Sequence, residues 1–320
     1  MKPSGLSHNN WTIDQGQVSL TYMNLKLAAF AAALAIGPQT GWTDSGSSST
    51  SKFEPVDIMV IGHRGAAGNA PENTLASIRE ALNQDADAIE VDLHQSADGT
   101  VVAMHDDTVD RTTDGEGRVA DLTLTQLKKL DAGAWFNTKY AGERIPTLKE
   151  VLRTVPEETV LILEVKEGSD TYPGIETSII NTLRGLGRNN IILKSFNIEV
   201  LAAFERLAPE FARLYVFNAH IPFLNLIVDD GLRFGNAFDQ NVSWLQKHST
   251  FISDGFVRRA QKSGFRVVAW NVHDRESMRE MIALGVDAIE TDYPGLLKAL
   301  LAETAGAECT AIVEMKATCP

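Results

Sequence analysis

Three observations predict an α/β fold. Apolar runs alternate with capped amphipathic segments from Val56 onward, the first run is apolar on both faces, and one early hairpin link is too short for a helical crossover. Counted along the chain they make a TIM (β/α)8 barrel with a small insertion after the second-strand hairpin.

The first stave is Ile58-Met59-Val60-Ile61, which ends in Gly62-His63-Arg64-Gly65. The loop Pro71-Glu72-Asn73 is expected to supply an N-cap, and Leu75, Ile78, Ala81 and Leu82 form a helical stripe behind it. The second stave alternates, with Ile89, Val91 and Leu93 on one face and Glu90, Asp92 and His94 on the other. Asp98-Gly99 reads as a two-residue hairpin turn. With the turn centred there, paired residue numbers sum to about 197 and His105 falls opposite Asp92.

Thr108 to Arg144 has no strand pattern and is expected to be an inserted subdomain with its own minor core near Trp135, Phe136 and Tyr140. Thr123 with Gln126, and Thr147 with Glu150, are capping boxes. Further staves are expected at Val160 to Lys166, Ile191 to Ser195, Leu214 to Phe217, about Asn241 to Trp244, Val267 to Asn271 and Ala288 to Thr291. Asn197, Ser253 and Asp274 cap intervening helices. If the run before His105 is only the return arm of the hairpin, eight staves remain. A doubly wound open sheet is the alternative, but the first strand's exit lacks the G-x-G-x-x-G fingerprint.

The net charge of −13 argues against nucleic acid and anionic membrane surfaces as partners. Met23 to Ile36 resembles a secretory signal peptide: Lys26, then ten uncharged residues, then Ala33 and Ala35 as an A-x-A-like site. That run is far short of the roughly 20 residues a transmembrane helix needs. The polar stretch Met1 to Tyr22 is foreign to a signal peptide, which leaves Met1 and Met23 as alternative starts. The chain therefore divides into a signal-like segment and Ser-rich linker (1–56), a catalytic barrel (57–303, insertion about 108–144) and a C-terminal tail (304–320). Export to the periplasm or medium is the expectation. Cys309 and Cys319, placed in the tail beyond the last helix, form either a small disulfide loop or two free thiols. The sequence carries no signal for an oligomeric state.

Barrel active sites sit at the C-terminal ends of the staves. Those ends supply His63 and Arg64, Glu90 and Asp92, Glu164 and Lys166, Ser195-Phe196, Trp270-Asn271 and Thr291-Asp292. Three carboxylates on two adjacent staves need a counter-charge. A hard divalent cation, Mg²⁺ or Ca²⁺, suits all-oxygen ligands; a salt-bridge network with Arg64 and Lys166 is the alternative. Glu164 interrupts Leu161-Ile162-Leu163-Glu164-Val165, where a charge is costly unless paired. Two histidines, His63 and His105, beside this cluster suit a general acid and a general base. Arg64 adds a fork that fits phosphate. Together these residues describe phosphodiester chemistry.

His63-Arg64-Gly65, Pro71-Glu72-Asn73-Thr74, Glu90-Val91-Asp92, His105-Asp106, Glu164-Val165-Lys166, Ser195-Phe196 and the closing Gly285 to Pro294 resemble the glycerophosphodiester phosphodiesterases, in order from about Asp57 to Leu301. The resemblance implies metal at Glu90, Asp92 and Glu164, acid and base roles for His63 and His105, phosphate contact by Arg64 and Lys166, and a Trp270 wall. It implies products of sn-glycerol 3-phosphate and an alcohol such as choline or ethanolamine. The nucleophile is the glycerol 2-hydroxyl or a water; His63 is assigned as base and His105 as acid. The family reads W-T-V-N where this chain has Trp270-Asn271-Val272-His273, a departure expected to bear on rim contacts and the preferred alcohol. Two rivals stand beside this reading. One is a lysophospholipase D or cyclising phospholipase D-like enzyme, with Ile221 to Val228 as a lipid-facing lip rather than a barrel helix; the other is a non-catalytic phosphodiester binder.

Overall fold

The computed structural model describes residues 58–221, 226–228 and 232–317; the signal-like segment and Cys319 lie outside them. Eight parallel strands close into a ring: β1 (Met59–Gly62), β2 (Ala88–Gln95), β4 (Val160–Val165), β5 (Ile191–Ser195), β6 (Ala212–Phe217), β10 (Trp244–His248), β11 (Arg266–Trp270) and β12 (Ala288–Thr291). Closure is made by β1 on β2, with Ile61 opposite Ala88 and Gly62 opposite Ile89. The return arm β3 (Val101–Ala103) lies outside the ring, antiparallel to β2. The expected barrel is therefore the observed one.

Strand alternation builds the layers. Ile61, Ala88, Ile162, Ile192, Leu214, Trp244, Val268 and Ala288 fill the barrel interior, while Ile89, Val91, Leu93, Leu161, Leu163 and Leu193 face the helices. Thr74, not Asn73, caps α1 (Leu75–Asn83), accepting from Ser77 N. Asn73 is thereby released for the site. Both capping boxes form, at α2 (Leu124–Leu127) and α3 (Leu148–Thr154). Asn197, Ser253 and Asp274 cap their helices as expected.

Several expectations are corrected. The hairpin loop runs Ser96 to Thr100, closed by Ser96 N on Thr100 O at 2.9 Å and Thr100 N on Ser96 Oγ at 3.0 Å. Paired numbers consequently sum to 196, with Leu93 opposite Ala103. Met104 N meets Asp92 O at 3.0 Å, so His105 is not opposite Asp92 but follows the strand. The sixth stave is Trp244–His248, displaced toward the C-terminus, because Gln246 and His248 break the apolar pattern while still pairing with β11. The segment Ile221 to Val228, read as a barrel helix if not a lip, instead starts at the last residue of β7 (Ala219–Ile221) and ends with β8 (Leu226–Val228), and β8 pairs antiparallel with both β7 and β9 (Leu232–Phe234). Its Ile and Val residues suit strands.

The insertion does have a minor core, made of Val102, Met104, Val109, Val119, Leu127, Ala132 and Ile145. Trp135, Phe136 and Tyr140 instead stack edge-on at its surface, Trp135 being 40% exposed. The last helix runs Pro294–Ala317, so Cys309 lies on it rather than beyond it. Among the described residues no helix is long and apolar enough to cross a membrane.

Candidate active site

Above the apolar barrel interior, the staves turn polar and open into a cavity of about 500 Å³, lined by His63, Arg64, His105, Glu164, Lys166 and Trp270 among others. Glu90, Asp92 and Glu164 project into the barrel from adjacent strands; Asp92 and Glu164 are level in the β2–β4 register. All three are buried, and each offers an oxygen within 4.8 Å of the other two. Asp92 Oδ1 has Lys166 Nζ 2.8 Å away but no hydrogen bond of acceptable geometry, and it is sealed from solvent. A buried carboxylate oxygen met only by an ammonium, among other hard oxygen donors, fits a divalent cation.

The electrostatics are set by close lysines and burial. Burial pushes Glu90 up to about 7, with Asp92 adding to the effect. Burial would raise Asp92 too, but Lys166 and Arg64 hold it well below the carboxylate range. Glu164 is likewise resisted by burial, yet Lys166 and Lys194 bring it down to about 2. Lys166 also bonds the Glu164 carboxylate.

The histidines come from different strand ends. His63, just past β1, places Nδ1 2.7 Å from Asp292 Oδ1, past β12. Arg64 Nε donates to His63 Nε2 at 3.2 Å, so that nitrogen carries a lone pair. Burial pulls the His63 imidazole down, but the Asp292 bond and the Glu290 and Glu90 charges outweigh it and the pKa is raised. His105 places Nδ1 2.6 Å from Asp106 Oδ1. Burial, then Lys166 and Arg64, lower its pKa despite Asp92 and Asp106.

Arg64 has φ 51°, a left-handed conformation that a side chain adopts only under constraint. The constraint is visible: its N–H donates to Glu90 Oε2 at 3.0 Å and its Nη1 to Glu72 Oε1 at 2.7 Å. Asn73 (φ 57°) donates to Asp92 Oδ2 at 2.8 Å and accepts from Asp92 N.

Sequence reasoning missed several members. Asp292, read as a stave end without a role, and Asp106, read only within a motif, each back a histidine. Arg111 grips Glu72 through two nitrogens at 2.9 and 2.8 Å and Asp106 at 2.7 and 3.0 Å. A continuous chain of polar contacts thus runs from His63 through Arg64, Glu72, Arg111 and Asp106 to His105. His94, on the inward face of β2, sits between Tyr172 Oη (2.7 Å) and the His105 carbonyl (3.0 Å). Lys194 interrupts an apolar strand as Glu164 does, which is the signal that would have found it. His273, the departure at the seventh stave, stacks on His63 at 6.4 Å and accepts from Asp292 N at 3.2 Å. The departure therefore reaches the back of the His63 pair as well as the rim. Trp270 stands edge-on to Phe196 at 5.8 Å, with its Nε1 buried and unpartnered.

The model of the glycerophosphoryl diester phosphodiesterase family matches residues 63–296. A glycerophosphodiester phosphodiesterase of Caldanaerobacter subterraneus is 39% identical over 243 residues, covering 75% of this chain and 96% of the relative. Its counterpart from Bacillus subtilis is 30% identical over 295 residues, covering 85% and 96%. Among solved structures, an Oleispira antarctica phosphodiesterase in complex with the product sn-glycerol-3-phosphate is 30% identical. It aligns with a TM-score of 0.67 over 76% of this chain and 96% of that one.

Proposed function

The chain belongs to the glycerophosphoryl diester phosphodiesterase family, and from that premise we propose that its barrel mouth releases sn-glycerol 3-phosphate and an alcohol by two-histidine, cation-dependent catalysis. It is an enzyme, a glycerophosphodiester phosphodiesterase, as its relatives are named. The observation that carries the finer reading is the pair of aspartate-backed histidines lining one cavity beside three buried carboxylates.

Glu90, Asp92 and Glu164 would hold the divalent cation, Mg²⁺ or Ca²⁺, which when bound supplies charge neutralisation to the phosphoryl oxygens. Arg64, held by Glu72, and Lys166 meet the same oxygens. Trp270 with Phe196 forms the apolar wall that orients the diester. His63 is the base. Its Nε2 lone pair takes the proton of the attacking hydroxyl: either a water, which gives sn-glycerol 3-phosphate directly, or the glycerol 2-hydroxyl, whose cyclic phosphodiester is then opened by a water to sn-glycerol 3-phosphate. Asp292 holds the opposite N–H and stabilises the imidazolium that results. His105, oriented by Asp106 through Nδ1, delivers a proton from Nε2 to the departing alkoxide.

The test is product analysis after incubation with glycerophosphocholine and with lysophosphatidylcholine, with and without chelator. Free choline and sn-glycerol 3-phosphate from the first substrate, lost on chelation, are expected. Choline from lysophosphatidylcholine alone would transfer the site to the lysophospholipase D reading. Export by the Met23 to Ile36 segment belongs to the same proposal, supported by its composition. N-terminal sequencing of the native protein should find a start near Ile36; cytoplasmic protein beginning at Met1 or Met23 would refute it.

A further inference from the structure

Beneath the groups used above lies a lysine with no part in that scheme. Lys194 points inward from β5, level with Glu164 in the strand register, and is 2% exposed. Its Nζ lies 3.0 Å from both Glu290 oxygens, 3.0 Å from Glu164 Oε2 and 3.4 Å from Glu90 Oε1. One ammonium is thus shared among carboxylates from three staves. Burial of this depth drives a lysine toward its neutral form. Here three glutamates stand within 3.0 to 3.4 Å of the ammonium to offset that cost.

The carboxylates fall into two overlapping donor sets. One is Glu90, Asp92 and Glu164; the other is His63, Glu90 and Glu290, again with donor atoms within 4.8 Å of one another. An imidazole with two carboxylates is itself a competent ligand set for a divalent ion. Paired cations a few ångströms apart are a common solution to phosphodiester cleavage. Lys194, however, already ion-pairs with both carboxylates of the second set.

We propose that the Lys194 ammonium is a built-in cation filling the second set, so that the barrel takes one divalent ion and no more. The inference rests on the proposed metal at Glu90, Asp92 and Glu164. Its consequence is chemical. With Lys194 in place, Glu90 and Glu290 have no need of a second ion, and the His63 Nε2 lone pair stays available for a proton.

The test is Mn²⁺ stoichiometry by equilibrium dialysis at about pH 8, with electron paramagnetic resonance as a second readout. Wild type and Lys194→Arg should each bind one Mn²⁺ per chain with an uncoupled spectrum. Lys194→Met should bind two and show the spin coupling of a close pair, and adding Glu290→Gln to it should return the count to one. If Lys194→Met does not fold, Lys194→Gln, with a hydrogen-bonding tip, takes its place with the same expectation. One Mn²⁺ per chain in the folded neutral variant, at whatever affinity, overturns the proposal. So does a second ion that survives Glu290→Gln. A wild type that binds none sinks the metal reading instead, and the two failures are thereby told apart.

Discussion

His63 follows a stave of the closed ring and is 13% exposed, whereas His105 follows a strand outside the ring and is 32% exposed. Each is backed by an aspartate, but the aspartates are held differently. Asp292 ends the neighbouring stave, its N–H is tied to His273, and strand pairing places it. Asp106 lies where the insertion begins and is gripped by Arg111, whose other hydrogen bonds reach Glu72 on the loop after β1. One wall is positioned by barrel closure; the other is fastened by a side-chain clamp. A group placed by the sheet is as rigid as the ladder that carries it, while a clamped group is lost with its clamp.

The largest effect tests what both walls share. Glu164→Gln removes a charge from the three-carboxylate cluster while keeping its shape, so turnover should fall by about 10³-fold or more and the affinity for Mg²⁺ or Ca²⁺ should collapse. Calorimetric titration and steady-state rates check this. Full activity in excess EDTA, with no bound metal, would break the cluster assignment for both walls at once.

The next pair separates the walls. Asp292→Asn should lower rates about 10–100-fold on glycerophosphocholine and on an activated p-nitrophenyl diester alike, because it weakens the base. Arg111→Met should cost a similar factor on glycerophosphocholine but far less on the activated ester, because it frees the wall that carries the acid. Equal losses on both substrates for both variants would erase the distinction between ring and clamp.

The same contrast explains what could be read in advance. Staves such as Leu161-Ile162-Leu163-Glu164-Val165 declare both their burial and their functional residue, because one polar letter stands out in an apolar run. The sixth stave hid because Gln246, Lys247 and His248 are all polar, although Gln246 is fully buried in the ring. Side-chain clamps leave no periodic trace. Arg111 lies far along the chain from Glu72, and only folding brings them together. The hairpin register slipped for a local reason, since Ser96 closes a five-residue loop where Asp98-Gly99 suggested two.

The smallest effect is a control that touches neither wall. Lys247 lies on the outer face of β10 with its Nζ 4.4 Å from the Phe256 ring centroid, and burial lowers its pKa to about 8. An unfolded lysine titrates near 10.4, so the folded state carries the full penalty below about pH 8 and sheds it as pH rises toward 10.4. Lys247→Met should therefore stabilise the protein by about 1–3 kcal/mol at pH 7 and by progressively less above pH 8. Thermal unfolding followed by circular dichroism across that range checks it, and kcat should stay within about twofold. Stabilisation independent of pH would show that the lysine is solvated in the folded state.

The division of proton work between the walls is tested most directly by His63→Ala and His105→Ala. Each is assayed with saturating metal on glycerophosphocholine and on the p-nitrophenyl diester. General acid catalysis contributes roughly 10²–10⁴-fold, and p-nitrophenolate leaves without it. His105→Ala should therefore lose that factor on glycerophosphocholine and keep most of its rate on the activated ester, while His63→Ala should fail on both. If His63→Ala is the variant spared on the activated ester, the two roles are reversed. If both variants keep near wild-type rates on glycerophosphocholine, the two-histidine account is wrong.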